Sequence, residues 1–247
     1  MTPAPDLIGP DTSGSEPSEA DFSGPDTSGP DSSGHDAEVR PRRDGPPPAP
    51  ARILLIACGA LAREILDIKA QTAGSLDHLD LRCLPAELHN TPDRIPEAVR
   101  AAVAAQRAQY DEIKLLYADC GTGGRLQTLC DELGIEMLQG PHCYAFFDGV
   151  ARFEARGEMR SFFLTDFLVR QFDAFVWRPL GLDRHPDLRE MYFGQYTTLV
   201  HLAQIDDPAL AALAEMHAAR LGLAFERRLT GYGDLERDLS RWARAKG

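Results

Sequence analysis

The sequence predicts an α/β fold, Rossmann-like, with a mainly parallel sheet of about five to six strands flanked by helices and an aromatic-rich helical insertion. Three observations carry this prediction. Short apolar runs alternate with amphipathic helical patterns from residue 51 to residue 139. Several of the runs lead into a glycine turn. The links between them are short, which favours right-handed crossovers between parallel strands.

The first strand is Arg52–Ala57, a continuous apolar run of the kind buried on both faces of a parallel sheet. It ends at Cys58-Gly59, and a helix follows through Leu61, Ile65 and Ile68. Leu79–Leu84 alternates as a strand, with Leu79, Leu81 and Cys83 on one face. After Leu88-His89-Asn90-Thr91-Pro92 a helix carries Ile95, Val99, Ala102, Val103 and Gln106 on one stripe. A third strand, Ile113–Ala118, runs into Asp119-Cys120-Gly121-Thr122-Gly123-Gly124. The helix after it has Leu126, Leu129, Cys130 and Leu133 at helical spacing and Gly134 as its stop. A fourth strand, Ile135–Leu138, leads to Gly140-Pro141-His142-Cys143-Tyr144.

Beyond this point Phe162, Phe163, Leu164, Phe167, Leu168, Phe172, Phe175 and Val176 form a wide aromatic face read as a helix, ended by Pro179 and Gly181. It reads as an insertion between two parts of one sheet. After Pro186 a helix reaches Tyr192, and Thr198–Ala203 is the fifth strand. A helix with Leu210, Leu213, Ala214, His217 and Leu221 precedes a sixth strand, Phe225–Leu229. The last helix begins near Asp234, an N-cap residue.

Residues 1–50 are set apart from this pattern. They repeat Gly-Pro-Asp-Thr-Ser-Gly from Gly9 and from Gly24 and end in Pro46-Pro47-Pro48-Ala49-Pro50. Such sequence buries too little apolar surface to offset the entropy of ordering, so a disordered acidic tail is expected. Residues 51–247 are expected to form a single α/β domain. The tail holds ten of the 38 acidic and three of the 26 basic residues, hence −7 of the net −12. Neither part is basic, and no Lys/Arg cluster is interleaved with aromatics, which argues against nucleic acid and anionic membrane as partners. No apolar run approaches the roughly 20 residues of a membrane-spanning helix, and the N-terminus lacks the sections of a signal peptide. A cytoplasmic location follows as an expectation. The five cysteines are then core residues, metal ligands or nucleophiles before they are disulfides.

In a doubly wound sheet the C-terminal strand ends share one edge, where ligands bind. Unusual residues collect there: Cys58, His89-Asn90, Asp119-Cys120, His142-Cys143, Gln204 with Asp206-Asp207, and Gly231. The sharpest reading is a metal site of Cys58, Cys120 and Cys143, with His142 as alternative or fourth ligand. Three thiolates suit Zn²⁺ and leave a coordination position open for water or a thiol substrate. An iron–sulfur cluster with one open iron is the alternative. None of the three belongs to a local Cys-x-x-Cys pair, so convergence depends on the fold. Small residues filling strand-end turns are the plain alternative. Cys83 and Cys130 sit on apolar faces and read as core.

Gly121, Thr122, Gly123 and Gly124 could cradle an anion with backbone N–H groups at a helix start, or form a plain tight turn. No Lys-Ser/Thr pair makes the loop a P-loop, and a dinucleotide fingerprint would need Gly or Ala at Leu126. Asp119 beside it opposes a phosphate unless Arg125 or a metal neutralises it. A third reading is nucleophilic catalysis by a thiol at a helix start, activated by His142 or His89. His78, His185, His201 and His217 look ordinary. Asp166 interrupts the aromatic run, and Arg170 four residues later makes it an ion-pair candidate on a solvent-facing helix side. A carboxylate aimed into the cleft is the other option, which adds Asp166 to Asp119 and His89 as catalytic candidates.

The set Cys58-Gly59-Ala60-Leu61, Leu88-His89-Asn90, Asp119–Gly124, Gly140–Tyr144 and Phe163-Leu164-Thr165-Asp166-Phe167 resembles an uncharacterised bacterial and archaeal family, DUF1638, over residues 52–235. The family name implies no activity. Its members occur near corrinoid-dependent methyltransferase and one-carbon genes. The resemblance thus implies a setting in which a zinc–thiolate site activates a thiol as methyl acceptor. The expected function is a metal-dependent enzyme of one-carbon or methyl-group metabolism acting on a small anionic or thiol substrate. The alternatives are a non-catalytic metal- or corrinoid-handling accessory of a methyltransferase partner, and a metal-free cysteine-nucleophile enzyme.

Overall fold

In the computed structural model, which describes residues 51–72 and 74–244, the apolar run Ile53–Cys58 is buried throughout and forms the inner strand β1. The tail expected over residues 1–50 lies outside the described residues. All described residues belong to one compact unit. Beside β1 run β2 (Leu79–Leu84) and β3 (Glu112–Leu116), and β3 pairs with the short β4 (Glu136–Met137). The sheet order is β2-β1-β3-β4, and every pairing is parallel. The chain goes to one side of β1 for β2 and to the other side for β3. The switch point therefore falls between the ends of β1 and β3, where an α/β sheet leaves a crevice.

Helices α1 (Ala62–Gln71), α2 (Ile95–Gln106) and α3 (Arg125–Leu133) connect these strands. The apolar stripe of α2 buries Ile95, Val99, Ala102 and Val103, and α3 buries Leu126, Leu129 and Cys130. Gly134 ends α3 in the left-handed region at φ 61°, as its place after the last apolar position predicts. Cys83 departs from expectation. It is exposed, not core, because β2 is an edge strand; alternation tells which face a residue shares, not whether a neighbour covers it.

The aromatic section is the larger correction. Ser161–Thr165 is a strand, β5, and not part of a helix. It pairs in parallel with β6 (Thr198–Ala203), which pairs with β7 (Ala224–Leu229). These three form a second sheet, so the section is no insertion into one sheet: among the described residues seven strands in two sheets replace five to six in one. Helix α6 (Asp166–Arg170) begins where β5 ends, because the Thr165 hydroxyl accepts the Leu168 N–H at 3.3 Å. A strand apolar on both faces cannot be told from a buried helix by periodicity alone. The Thr165-Asp166 cap was the available signal.

Further helices complete the second half. The turn α7 (Leu188–Phe193) precedes β6, and α8 (Pro208–Leu221) joins β6 to β7, with the Asp207 carboxylate accepting the Ala209 and Leu210 N–H groups. The last helix, here α9 after the short α4 (Ala145–Asp148) and α5 (Val150–Arg156), spans Gly233–Arg244. Its Leu235, Leu239 and Trp242 return to the core of the first sheet. Leu164, Phe172, Leu199 and Leu210 belong to a second core around the second sheet. Among the described residues no helix is long and apolar enough to cross a membrane.

Candidate functional site

Cys58 is the last residue of β1. Gly59 follows it because a Cβ there would lie 2.9 Å from the Leu84 carbonyl oxygen, too close for any side chain. Beyond β3 and β4 the backbone pairing continues: the Asp119 and Cys120 N–H groups donate to the Gly140 and Pro141 carbonyls, each at 3.0 Å. This extended pairing carries Cys120 to Cys143, and their Sγ atoms lie 3.0 Å apart. Cys120 has φ 49°, a conformation that costs a residue with a Cβ about 1–2 kcal/mol. Non-glycine residues held this way cluster at functional sites.

The three strand-end cysteines line one small chamber of about 40 Å³, together with Tyr117, His89 and Tyr144. That is room for a few water-sized species. A second recess of about 340 Å³ has Cys120, Cys143, His89, Tyr144 and Leu168 in its lining as well. The two cavities therefore meet at the thiol pair. Both sheets contribute, since Thr165, Phe167 and Leu168 line the chamber and Phe162 and Phe163 the recess.

The thiols differ electrostatically. The Cys120 and Cys143 thiols share a hydrogen bond, and that bond holds the Cys120 thiol below its ordinary range against the opposing effect of burial. The same bond and burial push Cys143 well up. Burial raises Cys58 to about 11, with the Ala60 N–H acting against it. The buried Tyr117 hydroxyl has no hydrogen-bond partner of good geometry, although it lies close enough to Cys58 to perturb its thiol. His89 and His142 are both lowered, first by burial. Both imidazoles are pushed towards the neutral form, and of the three strand-end thiols Cys120 is the one pushed towards the thiolate.

His142 lines the recess and not the chamber, and its ring stacks on Tyr144 at 4.9 Å. Among the described residues no group of three or more His, Cys, Asp or Glu side chains is arranged to hold a metal ion. Tetrahedral zinc thiolates at about 2.3 Å from the ion sit roughly 3.8 Å apart, wider than the Cys120–Cys143 contact.

Asp119 and Asp166 line neither cavity. The Asp119 carboxylate accepts the Thr122 hydroxyl at 2.8 Å and the Gly123 and Gly124 N–H groups at 3.1 and 2.7 Å. The loop Gly121–Gly124 thus wraps the chain's own Asp119 carboxylate, which occupies its Gly123 and Gly124 N–H groups. Burial acts to raise Asp119, and the Gly124 N–H, Thr122 hydroxyl and Gly123 N–H outweigh it, so the carboxyl is lowered overall. Arg125 does not neutralise Asp119; it bonds the Thr122 carbonyl at 2.9 Å and pairs with Asp93.

Asp166 is 1% exposed and sits on no solvent-facing side. Its carboxylate meets His201 Nε2 at 2.8 Å and accepts the Gln204 and Ile205 N–H groups, both at 3.2 Å. His201, ordinary by sequence, is therefore the buried partner of Asp166, and Gln204 returns the contact through Oε1 to the Asp166 N–H at 2.8 Å. This network ties the end of β5 to the end of β6. His217 keeps its plain reading: it contacts the Val169 carbonyl at 3.1 Å and stacks on Phe172. Tyr117, Tyr144 and Tyr196 were missed as site residues, although Tyr117 and Tyr144 flank the cysteine motifs directly.

Residues 83–239 match the family described as Protein of unknown function (DUF1638). The match covers more than half of the 247 residues, and the chain belongs to this family. It contains Cys120, Cys143, both site histidines and all of the second sheet; Cys58 lies before it. No curated protein and no solved structure matches the chain.

Proposed function

We propose that the protein is an enzyme working through Cys120 as a nucleophile, with Cys143 as the thiol that keeps it ionised. The observation that supports this most directly is the 3.0 Å contact between the two sulfurs where both cavities meet. A thiolate is the reactive form of cysteine, and a donated hydrogen bond stabilises it. In the first step a bond forms from Cys120 Sγ to an electrophilic carbon while the bond from that carbon to its leaving group breaks. The leaving group departs with the bonding pair and takes a proton from water. A second nucleophile, water or a thiol substrate, then takes the transferred group and frees Cys120.

A second reading has a specific observation in its favour. Cys58 lines the same chamber of about 40 Å³, a size suited to a single ion. In that reading Cys58, Cys120 and Cys143 bind Zn²⁺ or an iron–sulfur cluster. A zinc-bound thiol substrate would then accept a methyl group in one-carbon metabolism.

Limiting iodoacetamide followed by peptide mapping, on protein purified without a tag and without oxygen, separates the readings. Cys120 alkylating far faster than the exposed Cys83 in metal-free protein supports the nucleophile. Stoichiometric zinc or iron that is lost in Cys120→Ser, with all three strand-end thiols protected, replaces it with the metal reading. Metal-free protein in which Cys120 is no faster than Cys83 sinks both.

A further inference from the structure

The recess beside Cys120 has a chemical character that selects its ligand. The ring-bearing residues His142, Tyr144, Phe162, Phe163 and Tyr196 are among those that line it. Tyr144 lies nearly parallel to His142 (4.9 Å, 17°) and to Phe163 (5.5 Å, 18°), so three flat side chains form one stacked wall. Among the described residues no Asp, Glu, Lys or Arg lines the recess or the chamber. Burial pushes both of its histidines towards the neutral form. The volume of about 340 Å³ is at the small end of the roughly 300–1,000 Å³ of small-molecule pockets.

We infer that this recess binds a flat, uncharged aromatic portion of the substrate and presents an adjoining electrophilic carbon to Cys120. The inference rests on the reading of Cys120 as nucleophile and names the substrate class for it. A carboxylate or phosphate would lose its water here without gaining a cation or an anion-binding loop, because the nearby N–H cradle already holds Asp119. A planar ring gains apolar burial and edge-to-face contact with the exposed ring edges of the stacked wall. A cationic head group would be drawn by ring faces, but two faces of that wall are taken up by Tyr144's own neighbours.

Maleimides test this with one reactive group and a variable body. The thiolate adds across the ring C=C bond, and water supplies the proton to the resulting enolate. N-phenyl-, N-ethyl-, N-(4-carboxyphenyl)- and N-(4-trimethylammoniophenyl)maleimide are compared at Cys120, each rate divided by that of 2-mercaptoethanol. The phenyl reagent should exceed the ethyl reagent by about tenfold or more on this scale, with saturation. The carboxyphenyl reagent should fall below the ethyl one. Tyr144→Leu and, separately, Phe163→Leu should bring the phenyl-to-ethyl ratio towards one; being a ratio within one protein, it is insensitive to partial loss of fold. Fast alkylation with a ratio near one, or preference for the carboxylate or ammonium reagent, overturns the inference and leaves the nucleophile standing. If Cys120 proves unreactive, the nucleophile fails, and calorimetry of N-phenylsuccinimide, which cannot react, on Cys120→Ser decides the recess alone. Saturable binding weakened by Tyr144→Leu supports it, and no binding up to the solubility limit overturns it.

Discussion

The Sγ of Cys120 lies 3.0 Å from that of Cys143, and this contact moves the two thiols in opposite directions. The contact favours a Cys143 that keeps its proton and a Cys120 that gives its proton up. The iodoacetamide rate of Cys120 should therefore rise through a midpoint below the roughly 8.5 of free cysteine. Cys143→Ala removes the donor and leaves burial, which favours the neutral thiol. Its midpoint should move up and its rate at pH 7 fall several-fold, while Cys143→Ser, which keeps an O–H donor, should lie between. Equal midpoints in the wild type and Cys143→Ala would show that the contact does not set the ionisation.

The backbone at Cys120 gives a second expectation. With φ at 49° the residue sits where a Cβ is unfavourable and glycine is not. Cys120→Gly and Cys120→Ala both delete the sulfur, and they differ in this backbone cost. The glycine variant should be the more stable by about 1 kcal/mol, after the larger entropy of its unfolded chain is allowed for. At this chain length that is a difference of roughly 2–4 °C in melting temperature. A less stable glycine variant would mean that the left-handed conformation is not held in the folded protein.

Asp119 should matter for stability and for the placing of Cys120, not for binding an anion. Asp119→Ala deletes the acceptor of three hydrogen bonds, two of them from the exposed Gly123 and Gly124 N–H groups. Water can re-satisfy those donors in part, so the loss should be about 1–2 kcal/mol by urea unfolding. Its carboxyl is lowered in the fold, so its contribution is present above the unfolded value near 3.9 and is lost as pH falls through the folded one. Phosphate should stabilise Asp119→Ala more than the wild type, since only the variant offers the emptied cradle. Equal stabilisation of both proteins would contradict the assignment.

The cysteine constellation is legible in the sequence because a parallel β/α alternation fixes which end of each strand faces the common edge. By that logic Cys58, Cys120 and Cys143 all follow strand ends on one edge, and the observed order makes β1, β3 and β4 neighbours. What alternation cannot supply is strand order and sheet membership. Cys83 is exposed because β2 is an edge, and nothing in Leu79–Leu84 marks it so. The Asp166–His201 bond joins residues 35 apart and exists because β5 and β6 are neighbours. Reading β5 as helix hid that neighbour relation. It also hid the recess that Phe162 and Phe163 line.

Glu64 on α1 provides the last expectation. It is 3% exposed, and its Oε2 has no hydrogen-bond partner. Burial raises its carboxyl, with the charges of Asp166 and Asp67 adding to the effect and the Glu64 N–H and Arg170 acting against it. A folded-state value above the unfolded one means that the stabilising proton is fully present below about 4.3, the unfolded value. The contribution is then lost as pH rises through the folded value. Glu64→Gln is neutral at every pH and escapes that loss. Its melting temperature relative to the wild type should therefore be higher at pH 8 than at pH 4, with each kcal/mol appearing as roughly 2–4 °C. Other titrating groups cancel in the difference, as does the unpaired amide of the glutamine, which is the same at both pH values. A difference that does not change with pH would place Glu64 in contact with a cation or donor that keeps it ionised.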